Sequence, residues 1–144
     1  MAAERRANAV WEGDLASGSG TVSLASGAAS ELPVSWKART SSNGDTSPEE
    51  LIAAAHAACF SMALSNGLSQ GGNSPERLEV GATCTFGETD GGFAVQSMHL
   101  AVTGRVPGVD ADGFRQAAEE AKEGCPVSGA LKGNVDISVE ATLD

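Results

Sequence analysis

The chain has 144 residues, 41% of them hydrophobic, which is enough to bury the core of one domain and too few for two comfortable ones. Nine Lys and Arg scattered among 19 Asp and Glu leave a net charge of −10, which argues against nucleic acid or an anionic membrane as partner and leaves proteins and small molecules. Three cysteines at wide spacing, behind an N-terminus with charges but no apolar run, argue against a disulfide framework and a membrane span, and for a soluble cytoplasmic protein.

Residues 8 to 40 alternate apolar pairs with Gly and Ser, the pattern of a meander of short strands, with Trp11, Val22 and Leu24 as inward positions. In VSWKART, residues 34 to 40, Val34, Trp36 and Ala38 alternate with Ser35, Lys37 and Arg39. That period predicts a strand with Arg39 on the face opposite Trp36. SSNGDTSPEE then breaks the pattern and starts a helix near Pro48: Ser47 caps, Pro48 fits the first helical position, and Glu50 completes a capping box. Leu51, Ile52, Ala55, Cys59, Met62 and Ala63 follow three- and four-residue steps. Ala53, Ala54, Ala57 and Ala58 would let another helix approach closely, and Gly67, Gly71 and Gly72 mark the end.

Strands are predicted over Leu78 to Thr85 and Phe93 to Val106, joined by GETDGG as a hairpin turn, with Cys84 as strand filler. Residues 110 to 123 read as an amphipathic helix with Phe114, Ala117, Ala118 and Ala121 on its apolar side, stopped by Gly124. Cys125 stands at the cap of a short helix running from Pro126 through Leu131, where unpaired N–H groups favour a thiolate and make it a better leaving group. A final alternating strand occupies Asn134 to Leu143. The whole is expected to be a single α+β domain over residues 1–144, with short antiparallel strands around a central apolar helix.

Several chemistries compete for these residues. His56-x-x-Cys59 spans one helical turn and offers two zinc ligands, but the remaining soft ligands form no close pair. His56 and Cys59 also fit a nucleophile and base for acyl hydrolysis, without an obvious elbow to present them. Peroxide reduction needs a thiolate to attack the O–O bond and a second thiol to condense with the sulfenic acid, and Cys59 and Cys125 are candidates for that pair. Core filling stays open for both, as does a non-catalytic homodimeric module holding an apolar ligand or stress partner with Cys59 as lining.

SPEELIAAAHAACFSMALS at 47–65 and GCPVSGALK at 124–132, with VWEGDLASGSGTVS near the start and PGVDADGF at 107–114, closely resemble the OsmC branch of the OsmC/Ohr family of thiol peroxidases. The resemblance covers essentially the whole chain. It implies that Cys59 is the peroxidatic cysteine, Cys125 the resolving one, Arg39 the cation that stabilises the thiolate and Glu49 the carboxylate that orients the arginine. It further implies an intertwined homodimer with sites at the subunit interface, and organic hydroperoxides as substrates over hydrogen peroxide. It also implies no metal or organic cofactor, and a dithiol reductant such as a lipoyl-bearing protein. Ser47 stands where such proteins often have Asn before Pro-Glu, and both are good helix caps.

Physical reasoning adds two constraints. Cys59 lies beyond the first helical turn, where the dipole no longer helps a thiolate, so a cation is needed. Glu49 and Cys59 are ten residues apart, roughly 15 Å along an unbroken helix. Either Glu49 near a given Cys59 comes from the other subunit or an extended Arg39 spans the gap.

Overall fold

The computed structural model describes residues Met1–Asp144 and divides into two compact units, Met1–Leu51 and Ile52–Asp144. In the first, β1 (Ala7–Glu12), β2 (Ser19–Leu24) and β3 (Leu32–Val34) form an antiparallel sheet in the order β1-β2-β3. Gly13, at φ 90°, turns the chain out of β1, and its carbonyl accepts from Trp11 Nε1 at 3.0 Å. Trp11 and Leu24, expected inward, are 41% and 36% exposed, and no residue of β1 is buried. Exposure along a whole strand is confined to β1, since the middle of β2 and the ends of β3 are half-buried.

The predicted strand over 34–40 is a correction. Only Val34 belongs to β3, and α1 (Trp36–Thr40) follows at once. Ser35 is the cause: its hydroxyl accepts from the Ala38 N–H at 3.1 Å and caps a turn of residues that tolerate a helix well. Helix α2 (Pro48–Gln70) starts as expected, with Ser47 Oγ accepting from Glu50 N–H at 3.1 Å. The Glu50 carboxylate takes the Thr46 hydroxyl at 2.7 Å rather than closing the capping box. At the far end Gly72 adopts φ 89° and Asn73 N–H returns to the Leu68 carbonyl, a glycine C-terminal cap.

In the second unit β4 (Arg77–Thr89) and β5 (Gly92–Arg105) make one long antiparallel hairpin around Asp90-Gly91, bulged at Thr85/Phe86. β6 (Asp136–Leu143) pairs with β5 in parallel, against the antiparallel expectation, because α3 (Ala111–Gly124) and α4 (Pro126–Leu131) carry the chain back before it re-enters the sheet. The inner face is built of cross-strand rows: Cys84, Met98, Ile137; Ala82, Leu100, Val139; Val80, Val102, Ala141; Leu78, Gly104, Leu143. Gly104 leaves a hollow in the last row that the Phe114 ring of α3 fills; a Cβ there would overlap the ring.

Asp110 accepts from Gly113 N–H at 2.7 Å to start α3, and Phe114, Ala118 and Ala121 are its buried stripe. From α2 the core receives Phe60, Leu64 and Leu68, with His56 buried on the same face. This is a different stripe from the expected one: Met62 is 69% exposed and Ala55 is exposed too. Contrary to expectation, α2 is long and apolar enough to cross a membrane by length and composition, since its many alanines count as apolar. Four-residue steps at positions 56, 60, 64 and 68 nevertheless give it one face that packs in the core.

Candidate active site

Arg39 and Glu49 lie in the first unit and meet there. Arg39 Nε donates to both carboxylate oxygens at 3.1 and 3.2 Å, and Nη2 donates to Oε1 at 2.6 Å. The Glu49 side chain is 8% exposed and that of Arg39 30%. The ring of Trp36 lies 5.6 Å below the guanidinium carbon, so one turn of α1 supplies both the cation and an aromatic face for it. Trp11, Leu15, Val34, Trp36 and Pro48 line an apolar cavity of about 330 Å³ at this arginine. The carboxylate fixes the plane of a cation that stands beside these apolar side chains.

Cys59 and Cys125 lie in the second unit, both as free thiols. Cys59 lines a cleft of about 540 Å³ between α2, α3 and the start of α4, with Met62, Ala63, Ala117, Glu120 and Pro126. Cys125 is buried at the joint of two helices, ending α3 through its N–H to the Ala121 carbonyl at 2.9 Å and occupying the cap position of α4. One thiol is therefore open to a small molecule and the other is not.

The two thiols lie close enough to influence each other's titration. Burial pushes the Cys59 thiol up, the Val127 N–H pulls the other way, and the neighbouring Cys125 sulfur raises it further. Burial is also the largest influence on Cys125. There it is outweighed by the Ser128 N–H, the Cys59 thiol, the Ser128 hydroxyl and the Val127 N–H, so Cys125 titrates below an ordinary thiol. The Cys125 side chain makes no capping hydrogen bond of its own.

His56 is fully buried one turn before Cys59, with Nε2 2.7 Å from Ser128 Oγ and Nδ1 without a partner. Burial lowers its pKa and keeps the ring neutral. No group of three or more His, Cys, Asp and Glu is placed to hold a metal ion. Cys84 sits on the inner face of β4 opposite Met98.

The structure brings the four anticipated residues together as two pairs, Arg39 with Glu49 and Cys59 with Cys125, one in each unit. Sequence reasoning missed Ser128. Its only signal was position, three residues after a cysteine at a helix cap, where a backbone N–H turns back toward the first residue.

The sequence model of the family described as OsmC-like protein matches residues 41–140. Peroxiredoxin OsmC of Escherichia coli (strain K12) is 41% identical over 140 residues, covering 97% of this chain and 98% of that one. Among solved structures, an organic hydroperoxide resistance protein from Elizabethkingia anophelis superposes with TM-score 0.78 at 26% identity, covering 100% of both chains. OhrB of Bacillus subtilis, likewise an organic hydroperoxide resistance protein, gives TM-score 0.75 at 27% identity over 95% of this chain and 98% of that one.

Proposed function

The chain belongs to the OsmC-like protein family, and from that premise we propose that it is a cysteine-dependent peroxidase that reduces organic hydroperoxides. The observation that carries this reading is the thiol pair: Cys59 lines an open cleft while Cys125, beside it, is buried and titrates below an ordinary thiol. Cys59 thiolate attacks the terminal oxygen of R–O–O–H, the O–O bond breaks, and the alcohol leaves with a proton, converting Cys59 to a sulfenic acid. Cys125 thiolate then attacks the Cys59 sulfur. The S–S bond forms and hydroxide departs to become water. A dithiol, such as the lipoyl group of a carrier protein, returns both sulfurs to thiols by exchange and is itself oxidised to a disulfide.

Because its own surroundings raise the Cys59 thiol, a cation must favour its ionisation. Arg39, oriented by Glu49, is the group we assign to that task, in the same chain or from a second copy. Two features favour a homodimer. Only 22% of the apolar stretch of α2 is buried within the chain, and Val10 and Leu15 are 59% and 58% exposed. Sedimentation of the wild type and of Val10→Glu tests this: a dimer that the charge dissociates is expected, and a monomer in both would overturn it. All 144 residues are taken as one working domain, and the cytoplasm as its compartment.

The deciding experiment is titration of free thiols, with intact mass, before and after one equivalent of cumene hydroperoxide. In the wild type, two thiols and two mass units per chain are expected to disappear. No reaction is expected in Cys59→Ser, and a sulfenic or higher acid in Cys125→Ser. Survival of all three thiols would leave Cys59 as core lining and favour an apolar-ligand binding module.

A further inference from the structure

The contact between His56 and Ser128 joins α2 to α4 beside the thiols, and nothing in the peroxidase chemistry above uses it. Its hydrogens can be placed by elimination. His56 is 0% exposed, its Nε2 stands 2.7 Å from Ser128 Oγ, and its Nδ1 meets no partner. A buried N–H without an acceptor is rarer and more costly than an unused lone pair, so the ring hydrogen belongs on Nε2. Nε2–H therefore donates to Ser128 Oγ. An imidazolium would add an N–H at Nδ1 with nowhere to donate, in keeping with the neutral ring that burial favours.

The consequence falls on the serine. With a lone pair of its oxygen taken by His56, the hydroxyl hydrogen of Ser128 is free to be donated in turn. Ser128 is itself 4% exposed and is the third residue of α4, the helix that Cys125 caps, so its hydroxyl cannot turn to solvent. We propose that His56 is a positioning residue for the second thiol: its Nε2–H fixes the Ser128 hydroxyl so that Oγ–H donates to the Cys125 sulfur, holding that sulfur as a thiolate when it attacks and when it leaves. His56 touches neither hydroperoxide nor a reacting sulfur and acts only through Ser128. This deepens the peroxidase reading and rests on it. It assigns the histidine to closure of the disulfide and not to cleavage of the peroxide.

Two rates separate this role from mere space filling: appearance of the Cys59 sulfenic acid after one equivalent of cumene hydroperoxide, and closure of the disulfide. His56→Phe keeps a ring without a donor, whereas His56→Gln restores an N–H at nearly the same reach. Closure is expected to slow about tenfold in His56→Phe and in Ser128→Ala, the order of one hydrogen bond to a charged group. The double variant should be no slower than either, and His56→Gln should recover most of the rate. Sulfenic acid formation should stay within about twofold in all of them, since the relay ends on Cys125. Unchanged closure, equal slowing of both steps, or losses that multiply in the double variant would each overturn the proposal. If His56→Phe does not fold, Ser128→Ala carries the same expectation.

If the wild type consumes no hydroperoxide, the peroxidase reading fails while the relay is still decided. Thiolate absorbance of Cys125 in a Cys59→Ser background should then titrate higher when His56→Phe is added. No shift would sink the relay on its own.

Discussion

The inner rows of β4, β5 and β6 leave Met98 and Leu100 with no exposure and Val102 with 2%, whereas all six residues of β1 are exposed. Both sheets have three strands, so strand number is not the difference. The second sheet has a 14-residue amphipathic helix, α3, and the apolar stripe of α2 packed on one face. Within the first unit the strands are accompanied by α1, only five residues long, and order comes from polar links: the Ser35 cap, the Thr46–Glu50 contact and the Arg39–Glu49 pair. One unit is held by area removed from water and the other by placed hydrogen bonds and charges. The thiols sit where packing is dense and can fix two sulfurs. The cation sits where a charged group can be accommodated at modest cost in desolvation.

The largest effect that tests this contrast is in the packed unit. Phe114→Ala removes the ring that fills the hollow over Gly104 and should lower unfolding free energy by about 3–5 kcal/mol, read as a fall in the urea midpoint. A loss under about 1 kcal/mol would mean the hollow collapses and the rows are less rigid than their pairing implies. A smaller loss is expected in the polar unit. Glu49→Gln keeps shape but discards the charge that Arg39 grips, and should cost about 2 kcal/mol, between the values for exposed and fully buried pairs. If Arg39 has the role proposed for it, the peroxidase rate should fall more than the loss of stability explains, because a poorly oriented cation would favour the Cys59 thiolate less. A near-wild-type rate with intact folding would reduce Glu49 to a residue that steadies the start of α2.

Much of this was readable from the chain. SPEE announced the start of α2, the spacing of Phe114, Ala118 and Ala121 announced α3, and Asp90-Gly91-Gly92 announced the hairpin, because each rests on local chemistry. The failures share a different cause. Trp36 to Thr40 is too short for its period to separate strand from helix, and a single hydroxyl, Ser35, decided the outcome. An alanine-rich helix offers several apolar faces, so the buried one was settled by partners far along the chain: His56, Phe60, Leu64 and Leu68 in place of Cys59 and Met62. Alternation in β6 says nothing about strand direction. At the site, the spacing of Cys59 and Cys125 left core filling open and only the family resemblance paired them; a lone serine carries no pattern, and Ser128 became visible only once His56 was found against it.

The smallest expected effect is one of pH, and it tests whether the packed unit tolerates charge. His56 titrates below its ordinary value of 6.5 because burial disfavours the imidazolium. Above that value the ring is neutral in both folded and unfolded chains and makes no difference to stability. As pH falls below it, the unfolded chain takes up the proton first while the folded chain resists, so stability drops through the window just beneath 6.5 and levels off once the folded ring also charges. His56→Gln has no such proton to bind. Between pH 7 and pH 5 its urea midpoint should therefore fall less than that of the wild type, while the carboxylates and His99, common to both, cancel in the difference. Parallel falls would mean that His56 gains its proton without penalty in the folded chain. The dry, neutral contact with Ser128 would then be lost, and with it the distinction between the two units drawn from their charges.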